Sequence, residues 1–78
     1  MVQVQVFAVL KNYFNQEFEI KGSVSTIEEL KKELEALNPS AAKVLQACRF
    51  AVNDTFVQGE YKLKEDDKVV VLPPSSGG

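Results

Sequence analysis

Residues 1–20 contain two stretches in which apolar and polar side chains alternate. The apolar positions are Val2, Val4 and Val6 in the first stretch and Phe18 and Ile20 in the second. A period of two is typical of a β-strand with one buried face. Because only a short segment joins the two stretches, we predict an antiparallel hairpin with a short helical turn within residues 9–14. Phe7 falls on the polar face of the first strand, which predicts either a second packed surface or an exposed contact.

The middle of the chain changes to a helical period. Apolar side chains recur three or four positions apart at Ile27, Leu30, Leu34 and Leu37. Charged side chains occupy most positions between them, so we predict an amphipathic helix with one solvated face. Ser25 and Glu28 have the spacing of a capping box, in which the serine oxygen accepts a backbone N–H and the glutamate reaches back to the helix start. Asn38-Pro39 should end this helix, and residues 41–48 are compatible with a second, short one.

Three further strands are predicted in the last third of the chain. They lie at residues 49–53, at residues 56–57 after an Asn53-Asp54 turn, and at residues 68–72. The continuous aliphatic run of the last strand is typical of a central strand that is covered on both faces. If the first and last strands are parallel neighbours at the centre, the helix crosses one face of a mixed sheet. The predicted fold is therefore α+β, with the β-grasp arrangement of ubiquitin over residues 1–72 and a flexible tail over residues 73–78.

Composition narrows the classes of function. A chain of 78 residues is one small domain, and its net charge of -2 gives no basic surface for nucleic acid. The longest aliphatic run, residues 69–72, is too short to span a membrane. The single cysteine excludes an internal disulfide, and residues 1–4 lack the charged start and long apolar stretch of a signal peptide. We therefore expect a cytoplasmic protein without a nucleic-acid or membrane partner.

The residues that usually carry out catalysis are scarce. The chain has no histidine, no pair of cysteines at metal-binding spacing and no glycine-rich loop between a strand and a helix. These absences argue against a self-sufficient enzyme and against a metal site. Cys48 lies at helical spacing from Val44 and Leu45, so we interpret it as a small buried apolar residue rather than a reactive thiol. Arg49 is the one neighbour that could lower its pKa.

The last six residues, Pro73-Pro74-Ser75-Ser76-Gly77-Gly78, allow two interpretations. Ser-Ser-Gly-Gly has the composition of an inert linker. The alternative is that the tail is the working part of the protein and the domain before it holds the tail in place. The prolines end the last strand, because a proline has no N–H for the ladder, and both interpretations stay open on the tail alone.

Several short motifs accompany this tail at characteristic spacing. They are Phe7-Ala8, the helix start Thr26-Ile27-Glu28-Glu29-Leu30, the strand end Ala51-Val52-Asn53, and Pro73-Pro74 followed by Gly77-Gly78. Together they resemble the small subunit of molybdopterin synthase, a ubiquitin-like sulfur carrier, over nearly the whole chain. The chain departs from the family's usual pattern in three motifs. Asp66-Asp67 replaces Gly-Asp, Lys68 replaces a glutamate, and Val71-Leu72 replaces a pair that is often aromatic.

The resemblance implies a carrier role in molybdenum cofactor biosynthesis. An E1-like enzyme would use ATP to adenylate the Gly78 carboxylate, which would then become a thiocarboxylate. The thiocarboxylate would donate its sulfur to a cyclic pterin precursor in the large synthase subunit. Gly77 and Gly78 lack a Cβ, so the tail could enter a narrow channel. The resemblance thus implies a non-catalytic subunit of a sulfurtransferase complex, which binds no cofactor itself and has the large subunit and the activating enzyme as partners.

The partner-binding residues implied by the sequence lie near the tail. They are Phe7, Leu72, Pro73, Pro74, Ser75 and Ser76, and an exposed cluster that also contains Phe56 and Val57 would mark an interface. The alternative is that the apolar members complete the core of a small domain. Three other functions stay open: a sulfur carrier for thiamine or another pathway, a protein modifier that forms isopeptide bonds, and an interaction module with an inert tail.

Overall fold

The computed structural model describes residues 1–74, so Ser75, Ser76, Gly77 and Gly78 lie outside the described residues. The main elements are the strands β1 (Val2–Val6), β2 (Glu17–Ile20), β3 (Arg49–Val52), β4 (Thr55–Val57) and β5 (Lys68–Leu72) and the helices α1 (Ile27–Leu37) and α2 (Ala42–Gln46). Two 3-10 helices, Ala8–Asn12 and Pro39–Ala41, precede β2 and α2. Within this part of the chain, neither α-helix has the length and apolarity that crossing a bilayer requires.

The five strands form one mixed sheet in the order β2-β1-β5-β3-β4. β1 and β5 are parallel neighbours at the centre, and the other strand pairs are antiparallel. The predicted hairpin, the short helical turn after β1 and the central position of β5 are confirmed. The protein has the predicted β-grasp fold, a mixed sheet packed against one main helix.

The core lies between the helices and one face of the sheet. Its fully buried members come from both layers: Val4, Val6, Val69 and Val71 from the central strands and Leu10, Leu30, Leu34 and Leu45 from the helical segments. The period of two in the strands and the helical period in α1 bring these side chains together, as the sequence predicts. Burial of this apolar surface is the main force that holds the two layers together.

The start of α1 differs by one residue from the prediction. Thr26, not Ser25, is the N-cap: its Oγ1 accepts the backbone N–H of Glu29 at 3.1 Å. The Glu29 carboxylate in turn accepts the N–H of Ser25 at 2.7 Å. The predicted box of Ser25 and Glu28 is wrong because extended pairing continues through this segment. The Leu63 N–H donates to the Ser25 carbonyl at 2.8 Å, and Thr26 forms a bridge with Lys62, so the helix starts later.

Two predictions of burial are also wrong. Leu37 shares the apolar spacing of α1 but is 59% exposed, because it lies in the last turn and lines an open groove beside Phe14 and Lys21. The last strand is central but is not covered on both faces. Val69 and Val71 are buried because they lie on the face of the sheet that α1 and α2 cover. Val70 and Leu72 lie on the other face and are half-buried.

Candidate functional site

The face of the sheet that points away from α1 and α2 is called the open face here. Its central row runs across four strands, because Gln5 pairs with Val70, Val70 with Ala51, and Ala51 with Phe56. Leu72 lies two residues further along β5, on the same face. Val70, Leu72, Ala51 and Phe56 form an apolar patch on this face, to which we refer as the patch.

Phe56 is the most prominent member of the patch. Its side chain is 56% exposed, and with its neighbours it lines a shallow depression of about 220 Å³. The β3–β4 hairpin places it there. Asn53 and Asp54 form the connecting turn with φ values of 53° and 65°, a left-handed conformation that asparagine and aspartate tolerate. Val57, the next residue, points to the other side and packs against the core, so only Phe56 of this pair contributes to the surface.

Arg49 lies beside the patch. It pairs with Leu72 across the β3–β5 ladder, and its guanidinium carbon lies 5.3 Å from the centre of the Phe56 ring. This distance is typical of a cation–π contact, which the electrostatic attraction between the cation and the ring face stabilises. The sequence analysis considered Arg49 only as a neighbour of Cys48. Its alternation with Phe50 and Val52, which point into the core, is the signal that places it on the open face.

The central strand β5 ends at the edge of the patch. β5 is paired along both sides, with β1 and with β3, so its path is fixed up to Leu72. Pro73 and Pro74 follow without regular secondary structure, the first half-buried and the second exposed. A proline has no N–H to donate, so the ladder ends there. β5 therefore ends beside the exposed apolar surface.

Phe7 lies at the same end of the sheet. Val6 of β1 pairs with Val71 of the parallel neighbour β5. The next residues, Phe7 and Leu72, therefore lie side by side at the ends of these two strands. Phe7 is 36% exposed and extended, and the chain then turns sharply at Ala8, whose φ of 56° is uncommon for a residue with a Cβ. Four of the six predicted partner-binding residues thus lie at one end of the sheet: Phe7, Leu72, Pro73 and Pro74. The other two, Ser75 and Ser76, lie outside the described residues, as do the predicted reactive residues Gly77 and Gly78.

Cys48 lies apart from this surface. Its side chain is half-buried against the core, and its Sγ donates a hydrogen bond to the Val44 carbonyl at 3.0 Å. Burial raises the pKa of the thiol, and the Lys31 cation opposes this effect only in part. A raised pKa favours the unreactive thiol over the thiolate. The geometry fits the structural role that the sequence predicts for Cys48. Arg49, the one neighbour that the sequence analysis named as able to lower the thiol pKa, contacts Phe56 instead.

Comparison with known proteins defines the family. The sequence matches the ThiS family over residues 4–78, so the chain belongs to that family. It is 37% identical over 65 residues to a protein from Chlamydomonas reinhardtii named molybdopterin synthase sulfur carrier subunit, an alignment that covers 81% of this chain and 77% of that protein.

Solved structures agree with this assignment. The fold superposes with a TM-score of 0.74 and 28% identity on a chain in the complex of subunits 1 and 2 of the molybdopterin-converting factor from Helicobacter pylori, covering 99% of this chain and 97% of that chain. It also superposes on small archaeal modifier protein 1 from Methanosarcina acetivorans, with a TM-score of 0.82, 23% identity and coverage of 99% and 95%. At that identity the second match shows the shared fold alone.

Proposed function

We propose that this protein is the sulfur-carrier subunit of a molybdopterin synthase and acts in the cytoplasm. The observation that carries the proposal is that the family similarity extends to residue 78, through the prolines that follow β5 and the terminal Gly77-Gly78. The similarity to the named carrier subunit from Chlamydomonas reinhardtii supports the choice of pathway.

The chemistry that we propose takes place on the Gly78 carboxylate. A carboxylate is a poor electrophile until one of its oxygens becomes part of a leaving group. An E1-like enzyme would supply ATP, whose α-phosphorus the carboxylate attacks, releasing pyrophosphate and leaving an acyl-adenylate. A sulfide-equivalent nucleophile would then displace AMP to give the thiocarboxylate. In this proposal the chain binds no cofactor itself, and Gly77 lets the backbone pass through a narrow channel.

The folded domain would present the tail to each partner in turn. Gly78 lies six positions after Leu72, so an extended tail spans at most about 20 Å. The large subunit and the activating enzyme must therefore hold their reactive centres within that distance of the β5 end. The patch and Phe7 supply apolar surface at this end of the sheet, where a docked partner could bury it. Docking there would fix the starting point of the tail.

The proposal is tested by the intact mass of the chain after incubation with ATP, a sulfur donor and the E1-like enzyme from the same organism. We expect the mass to rise by the difference between sulfur and oxygen, and fragmentation to locate the change on Gly78. A variant that lacks Gly78 is the matched control and should keep its mass. An unchanged mass of the wild-type chain, measured with an E1-like enzyme that is shown to adenylate another carrier protein, would contradict the proposal.

The acceptor distinguishes the alternatives. Adding the large synthase subunit and the cyclic pterin precursor should consume the thiocarboxylate and restore the original mass. A thiocarboxylate that forms but is stable under these conditions would favour a carrier for thiamine or another pathway. Covalent attachment of Gly78 to lysine side chains in place of sulfur transfer would favour a protein modifier.

A further inference from the structure

The open face carries charged side chains of both signs, and Arg49 is one of those that form no ion pair within the described residues. Lys68 lies on the same face, and its Nζ is 4.0 Å from a carboxylate oxygen of Glu17. Arg49, in contrast, has no carboxylate oxygen within 4.0 Å among residues 1–74. Its guanidinium lies instead on the ring of Phe56, which shields one side of the cation, and within residues 1–74 its N–H donors have no hydrogen-bond acceptor.

Arg49 is so close to the patch that a partner docked on the patch would also cover Arg49. It contacts Phe56, and it lies directly opposite Leu72 at the point where the chain leaves the sheet. A partner that covers both apolar side chains will therefore remove water from the guanidinium as well. A cation that loses its water without gaining a partner destabilises a complex severely, whereas a carboxylate can accept two parallel hydrogen bonds from the planar guanidinium.

We propose that the partner docked on the patch presents an aspartate or glutamate side chain, set within an apolar surface, that pairs with Arg49. The aromatic ring of Phe56 holds the guanidinium in place for this contact, so less side-chain freedom is lost on binding. Arg49 would then select the partner by charge, while Phe56 and Leu72 supply the buried apolar area. This inference rests on the proposed function, because it takes the large synthase subunit as the partner.

The test is the dissociation constant of the complex between the full chain and the purified large subunit, measured by calorimetry. Removing one member of a buried charged pair leaves the other unpaired, so Arg49→Gln should weaken binding about 30-fold or more. Lys32→Gln removes the same charge from an exposed position on α1, on the other side of the molecule, and should change the constant less than about twofold. Thermal unfolding of each variant checks that the fold is intact.

Two further variants identify what pairs with Arg49. Arg49→Lys keeps the charge but not the planar fork, so binding should be weaker than wild type and stronger than for Arg49→Gln. Arg49→Glu should abolish binding, and replacement of one aspartate or glutamate of the large subunit by arginine should restore it. Such a reciprocal rescue would identify the partner's residue directly.

The outcomes separate this inference from the proposed function. A wild-type chain that does not bind the large subunit would overturn the proposed function and this inference with it. If the wild-type chain binds and Arg49→Gln binds equally well, only the inference fails. Tighter binding by Arg49→Leu would overturn it too, because an apolar partner surface would then cover the position. So would a dimer of this chain alone that Arg49→Gln dissociates, which would assign the position to a second copy.

Discussion

Leu34 and Leu37 allow one chemical change to be compared at two positions of the same helix. Both belong to the apolar spacing of α1, yet Leu34 is 0% exposed and Leu37 is 59% exposed. We predict that Leu34→Ala strongly lowers the free energy of unfolding, whereas Leu37→Ala has little effect. The pair therefore tests whether burial in this fold, and not membership of the helical pattern, determines stability.

The magnitude follows from the burial of each side chain. Leu34→Ala removes three buried carbons, worth about 2.4 kcal/mol at about 0.8 kcal/mol for each. The cavity that remains brings the expected loss to about 3–5 kcal/mol. A domain of 78 residues has a total stability of roughly 4–12 kcal/mol, so this loss is a large fraction of it. Leu37→Ala removes carbons that already contact water, and the expected change is within about 0.5 kcal/mol.

Urea denaturation followed by far-ultraviolet circular dichroism measures both values. The midpoint for Leu34→Ala should fall sharply while the slope stays close to wild type, because the same surface is exposed on unfolding. In thermal unfolding, a loss of about 3 kcal/mol should lower Tm by roughly 12–24 °C in a domain of this size. Equal losses for the two variants would refute the reasoning, since the packing of α1 on the sheet would then differ from that described.

Four other variants test the site and the local structure. If Phe56 is buried in the complex, its 56% exposed fraction corresponds to about 110 Å² of an aromatic side chain. Phe56→Ala should then weaken binding of the large subunit by about 2–3 kcal/mol, and unchanged affinity in calorimetry would place the patch outside the interface. Thr26→Ala should lower the free energy of unfolding by about 1 kcal/mol through loss of the N-cap. Ser25→Ala, in which the backbone bonds persist, should have a smaller effect, and the reverse order in urea denaturation would contradict the assigned cap. Because burial raises the pKa of the Cys48 thiol, its contribution to stability is complete below the ordinary thiol pKa and declines as pH rises through the raised value. The stability of Cys48→Val should therefore fall less than that of the wild type between neutral and alkaline pH, and parallel pH profiles would show that the thiol does not contribute.

Most of the fold could be predicted from local patterns. Alternation in β1 and β2, the helical period of α1 and the Asn53-Asp54 turn each depend on neighbouring residues, and the structure has these elements where they were predicted. The family motifs added the carrier hypothesis, because they link the tail to a particular domain. The tail chemistry itself stays a prediction, since Gly77 and Gly78 lie outside the described residues.

Contacts between distant segments explain the predictions that were wrong. The start of α1 shifts by one residue because Leu63, far along the chain, pairs with Ser25. Thr26 and Glu29 have the same spacing as Ser25 and Glu28, a pair that the sequence analysis did not consider, and only the position of the later segment favours Thr26 as the cap. The same limitation explains Leu37, whose spacing is that of a core residue although the last turn of α1 borders an open groove.

The sequence by itself determined the type of each main element, which side chains of β1 point to the core, and the motif that ends in Gly-Gly. Each of these depends on local periodicity or on residue type. Only the tertiary structure decided that one face of β5 stays open, because that depends on which side of the sheet the helices cover. It also decided that Arg49 lies on Phe56 beside Leu72, a contact between three strands that exists only once the sheet has formed.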